Sequence, residues 1–170
     1  MKQAIAGVTP TSDKEVTCMT VWPSVAAMSL GPLPLGRMLG QLYSISIGIP
    51  PVTVGNLMCL ATIPVALLLY ARRIGPGVAT RYRITNKRVV VERGITGKEE
   101  RSIGLDKFDS VEIRVRPGQE WYDAGDLVFL QGNVEKFVLE GVSRPDAFQT
   151  VCVKANQAYS GVQEALAAFA

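Results

Sequence analysis

RYRITNKRVVVERG, residues 81–94, decides how the chain divides. Two β-rich runs flank a turn at Thr85-Asn86-Lys87, so the stretch reads as a hairpin, with Asn86 suited to a positive φ in the turn. Arg81, Arg83, Lys87, Arg88 and Arg93 crowd into it. Arg81 and Arg83 share the outer face of one strand, because successive strand residues point to opposite sides. A soluble β domain must begin here, yet one of the most apolar runs of the chain ends only about ten residues earlier. The hairpin is therefore either a binding surface or the solvated edge of a domain seated beside a membrane.

Reading outward confirms the asymmetry. The 170 residues leave room for one domain and an appendage. The net charge of +3 is mild and unevenly placed: from Ser24 to Tyr70 only Arg37 is charged, whereas the remainder has the charge density of a soluble domain. Cys18, Cys59 and Cys152 are odd in number, far apart and unaccompanied by histidine, which argues against a disulfide framework and a metal site. The lack of histidine also removes the usual base of Ser-His and Cys-His hydrolases. No catalytic residue, cofactor or small-molecule substrate is expected. Asp106, Asp109, Glu112, Asp123 and Asp126 fit a solvated outer face better than a carboxylate site, and Gly94 and Gly97 flank a turn rather than cradle a phosphate.

Toward the N-terminus, residues 51–73 are about twenty uncharged residues closed by Arg72 and Arg73, the length of a transmembrane helix. Pro64 falls inside, where a kink is tolerable if the freed carbonyl finds a partner. Residues 24–49 are broken by Pro32, Pro34 and Arg37, leaving Met38–Ile49 as the first arm of a helical hairpin or an interfacial helix. One span and two spans both remain open. The sequence thus divides into a tail at 1–23, an anchor of one or two helices at 24–73, a linker at 74–79 and a domain at 80–170. Trp22, Arg37, Arg72 and Arg73 are the expected membrane-interface residues. The basic residues that follow the apolar run place the domain on the cytoplasmic side of the cytoplasmic membrane.

Toward the C-terminus, TRYRIT, RVVVERG, EERSIGL, DSVEIRVR, DLVFLQG and EKFVLEG are short strands separated by turn signals. In DSVEIRVR the alternation sets Val111, Ile113 and Val115 against Glu112, Arg114 and Arg116. A closing helix over 144–168, opened by Ser143 and Pro145, carries Phe148, Val151, Ala155, Tyr159, Val162, Leu166 and Phe169 at helical spacing. The fold class is α+β: an antiparallel barrel or sandwich capped by the helix.

The plan of strands and closing helix resembles a pleckstrin-homology (PH) domain, and YRITNKRVVVERGI followed by RSIGLDKFDSVEI is similar to bacterial membrane-anchored PH-like proteins of the YdbS/YdbT-like group. Tyr82, Ile84, Thr85, Asn86, Arg88, Val89, Gly94, Ile103, Leu105, Phe108, Ser110, Val111 and Ile113 carry the likeness. The resemblance implies a membrane hairpin directly before the domain. It also implies a role as scaffold or accessory subunit of a membrane protein complex, a photosynthetic one among the candidates, since sister proteins include assembly factors for photosynthetic complexes.

Two partner surfaces follow. Arg81, Arg83, Lys87 and Arg88 could meet anionic lipid head groups, each contributing on the order of 1 kcal/mol, although Glu92, Glu99 and Glu100 dilute the patch. Trp121 and Tyr122, among turn formers in residues 116–126, could meet a protein partner. The net charge is too small for a nucleic-acid stripe.

Overall fold

The structure of the protein, a computed structural model, describes residues 15–29, 32–49, 52–74, 79–94 and 96–169. Strand β1 (Thr17–Val21) comes first, in the segment expected to be a tail. The apolar region then supplies a 3-10 turn at Val25–Ala27, helix α1 (Leu35–Tyr43), the two-residue strands β2 (Gly48–Ile49) and β3 (Val52–Thr53), and helices α2 (Val54–Ala61) and α3 (Ile63–Ile74). Beyond it run β4 (Thr80–Thr85), β5 (Arg88–Arg93), β6 (Lys98–Gly104), β7 (Ser110–Arg114), β8 (Ala124–Gln131), β9 (Val134–Ser143) and α4 (Pro145–Phe169).

Two antiparallel sheets, ordered β1-β4-β5-β6 and β7-β8-β9, face each other across the core. Tyr82, Ile84, Val89 and Val91 point inward from the first; Val111, Leu127, Phe129 and Leu139 do so from the second. Helix α4 closes the gap with Phe148, Cys152 and Ala155, and Val151 and Tyr159 pack alongside. Burial pushes the Cys152 thiol well above its ordinary pKa, in keeping with a small apolar filler. The sheets meet at one corner, where Ser24 N–H donates to the Gly141 carbonyl (2.7 Å) and Pro23 bridges to Val142. Among the described residues no ladder joins β6 to β7, so the architecture is an open sandwich and not a closed barrel.

The apolar region departs most from expectation. Strand β1 pairs antiparallel with β4, Val21 opposite Tyr82, so the segment between them is an insertion within the first sheet rather than an anchor placed before the domain. The boundaries drawn at 23 and 80 therefore cut through a sheet. Within residues 24–49 the helix among the described residues is the nine-residue α1, short for a membrane arm. Prolines 32 and 34 delay the helix to Leu35, and α1 lies against the domain: a Cβ at Gly36 would strike the Val25 carbonyl, and one at Gly40 the Gly118 carbonyl.

Residues 51–73 do not form one helix either. Pro64 has no N–H to offer the Leu60 carbonyl and its ring crowds that carbonyl, which breaks the run into α2 and α3. The two are bent by 56°; no single helix among the described residues is long and apolar enough to cross a membrane, whereas the bent pair is so by length and composition.

Candidate functional site

The basic hairpin is a closed electrostatic system. Counting outward from Asn86-Lys87 sets Glu92 opposite Arg81, and the carboxylate, only 2% exposed, takes an ion pair from the Arg81 Nε and another from an Arg83 terminal nitrogen (2.5 Å). Arg88 is held between Glu15 (Nε to Oε1, 2.8 Å) and Glu99 (2.8 Å). The Arg88 hydrogen bond holds the Glu15 carboxyl below its usual range. Lys87 is exposed in the turn, and Arg93 pairs with Glu100 (3.4 Å).

The turn itself is built differently from the expected one. Asn86 does not take a positive φ; that conformation is left to glycines and to Asp123 and Arg144 among the described residues. Instead the Asn86 side-chain oxygen accepts from Val16 N–H (2.9 Å), while its own N–H donates to the Val16 carbonyl (3.0 Å). Thr85 Oγ1 accepts the backbone N–H of Arg88 (3.0 Å). The Thr-Asn-x-Arg run is thus a clasp for the segment leading into β1: Asn86 grips Val16 and Arg88 grips Glu15.

Trp121 and Tyr122 sit in a short 3-10 turn, Glu120–Tyr122, whose loop is pinned from below. Asp126, expected on a solvated face, is 1% exposed, because its Oδ1 accepts from Gln119 Nε2 (2.6 Å) and Gly141 N–H (2.7 Å). Its Oδ2 lies 2.7 Å from Arg116 Nε but off the line of that N–H, which makes the contact an ion pair without a hydrogen bond. Gly118, at φ +88°, brings the loop against the Arg37 carbonyl, a contact that a Cβ would block. The loop therefore packs on α1, with the Trp121 ring 4.7 Å and the Tyr122 ring 6.4 Å from that of Tyr43. Trp121 remains 46% exposed.

Tyr43 ties this aromatic group to the bend. Its hydroxyl shares a hydrogen bond with Thr62 Oγ1 (2.6 Å), and Thr62 Oγ1 is also 2.8 Å from the Met58 carbonyl. At the other end Leu69 is 3% exposed and lines a cleft of about 350 Å³ with Tyr82, Arg93, Arg101 and Glu140. Between these fixed points α2 and α3 project apolar side chains on nearly every side: Leu57, Leu60, Ile63, Val65, Leu67 and Leu68 are all exposed. Ile47, Ile49 and Val52 extend the surface through the β2–β3 turn. From Met38 to Ala71 the chain holds no charge.

Of the expected interface residues, Trp22 is half-exposed beside Pro23, and Arg37 is only partly exposed, lining a small cavity with Arg116, Asp126 and Glu140 instead of reaching outward. The side chains of Arg72 and Arg73 lie outside the described residues. Sequence reasoning missed Tyr43, Thr62 and Asp126. Only Pro64 signalled the bend, and nothing local marks which strand Asp126 would be buried beneath.

The model of the bacterial PH domain family matches residues 25–155, from the turn after β1 into α4. The chain belongs to that family. A search of curated proteins and a search of solved structures each gave no match. The matched range takes in the whole apolar insertion, so in this PH domain the helices α2 and α3 belong to the domain and are not appended to it. A PH-like domain is a protein-interaction or lipid-binding module.

Proposed function

We propose that this PH protein is a non-enzymatic, membrane-anchored module of the YdbS/YdbT-like kind that serves as scaffold or accessory subunit of a larger membrane complex, its domain on the cytoplasmic side. The observation that carries this reading is the uncharged stretch from Met38 to Ala71, in which α2 and α3 display large aliphatic side chains outward. A helix apolar on all sides needs an apolar environment around it. Its carboxylates favour a non-catalytic role: Glu92 and Asp126 are buried and neutralised by arginine, and Asp109 accepts the Gly132 N–H (2.9 Å).

The alternative reading, a sensor of anionic head groups at Arg81, Arg83, Lys87 and Arg88, is weakened because three of the four are engaged by Glu92, Glu15 and Glu99. A phosphate would have to displace those carboxylates. Extraction of native membranes in mild detergent, followed by native-gel separation and mass spectrometry, tests the proposal. Stoichiometric co-migration with a large membrane assembly is the expected result. Migration of the chain alone would remove the accessory-subunit role.

A further inference from the structure

We infer that the insertion between β1 and β4 is a one-sided membrane element: α2, α3 and the β2–β3 turn enter a single leaflet and return on the face they entered, without crossing. The inference rests on the membrane reading above and goes beyond it by fixing how the lipid is met.

Topology supplies the first argument. Val21 and Tyr82 are paired neighbours in one sheet, so the chain leaves and rejoins the domain at the same place. An odd number of crossings is impossible. Two crossings would need about twenty helical residues each. Helix α1 is committed to the domain through Gly36 and Gly40, and α2 and α3 rise only about 12 Å and 18 Å. Were the bent pair to cross once, the return from Ile74 to Thr80 could span at most roughly 20 Å, short of the ~30 Å hydrocarbon layer.

Both ends of the arc are also fastened to the domain. Gly55 sits against the carbonyls of Tyr43 and Ile45 at one end, and Leu69 is buried at the other, where α3 packs on the Val25–Ala27 turn. What lies between is apolar and outward-facing, and an arc seated in the acyl boundary some 5–10 Å deep buries it without a crossing. The bend is suited to that environment: Thr62 Oγ1 is hydrogen-bonded to Tyr43 and to the Met58 carbonyl, so its polar atoms have partners within the protein. At the root of the arc Tyr43, Trp121 and Tyr122 form an aromatic group of the kind that settles at the head-group level. This gives Trp121 a lipid neighbour in place of a peptide.

The test uses the full chain in phospholipid vesicles. Single reporter cysteines replace Ile49, Leu60 or Leu68 in a Cys18→Ser, Cys59→Ser background, with Lys98→Cys on exposed β6 marking the domain side; Cys152 is buried. An impermeant maleimide is applied outside or entrapped inside, and a bimane label at each site is quenched by lipids carrying a shallow or a deep nitroxide. Quenching about twofold stronger or more with the shallow nitroxide at every reporter is expected, together with no labelling from the side opposite Lys98→Cys. Labelling of any reporter from the far side, or strongest quenching at the bilayer centre, would overturn the inference while leaving membrane attachment intact. Failure to associate with protein-free vesicles would overturn both and make the arc a surface for another protein.

Discussion

The β4–β5 hairpin and the α2–α3 arc stand in contrast. The hairpin holds the densest positive charge in the chain, yet Glu92, Glu15 and Glu99 answer three of its arginines from within the same molecule. The arc holds no charge before Arg72, and among the described residues nothing covers Leu57, Leu60, Leu67 or Leu68. A surface whose groups are already satisfied has little reason to bind anything; a large apolar surface left open marks an interaction site. Charge content alone points to the hairpin, and uncovered apolar surface points to the arc.

Substitutions can break this contrast, and the largest effect is expected in the arc. Leu60→Asp with Leu68→Asp places two carboxylates in apolar surroundings, at about 2.5 kcal/mol or more each at the bilayer centre and less toward its surface. Membrane partitioning measured by vesicle flotation should fall at least about 100-fold, while the thermal midpoint stays unchanged because both side chains are exposed. An unchanged flotation would move attachment elsewhere.

Next in size is Asp126→Ala. Removing the carboxylate leaves Arg116 facing an empty site and frees the Gln119 amide and the Gly141 N–H, a loss of about 3 kcal/mol read from urea unfolding. Trp121 fluorescence should report a loosened loop in the same experiment.

Much of this molecule is legible in the sequence, and the exceptions have physical causes. The six strands from Thr80 onward are short β-branched or aromatic runs between clear turns, and α4 carries a stripe at helical spacing from Phe148 to Tyr159. The Arg81–Glu92 pairing was within reach as well, since a two-residue turn at Asn86-Lys87 fixes the register. Strand β1 was not, because Thr17–Val21 is short, runs into Trp22 and Pro23, and finds its partner far along the chain. Burial of Asp126 depends on Gln119 and Gly141 arriving from two other segments, which no local pattern announces. The expected alternation also ran too far at Val115, which lies beyond the end of β7 and is exposed.

On the hairpin the expected effects are smaller. Lys87→Glu with Arg88→Glu should change binding to anionic vesicles by less than about tenfold, because Arg88 is already engaged by carboxylates. It should lower stability instead, as Glu15 and Glu99 lose their cation. A collapse of vesicle binding with stability retained would restore the head-group reading.

The smallest effect belongs to Glu15→Gln. The Arg88 hydrogen bond lowers the folded-state pKa of Glu15, so its contribution is full above the ordinary carboxylate pKa and disappears as pH falls through the folded value. The variant should be less stable than the parent by under about 1 kcal/mol at neutral pH and indistinguishable from it in acid. A difference that persists in acid would mean that Glu15 acts through packing.

One measurement addresses the central claim that the apolar arc attaches this PH domain to the membrane while the basic hairpin does not. The full chain, diluted out of detergent, is floated with neutral phosphatidylcholine vesicles and with vesicles rich in anionic lipid, each at low and high salt. Apolar insertion is insensitive to charge screening, so comparable flotation under all four conditions is the expected result. Binding that requires anionic lipid and is lost at high salt would contradict the account.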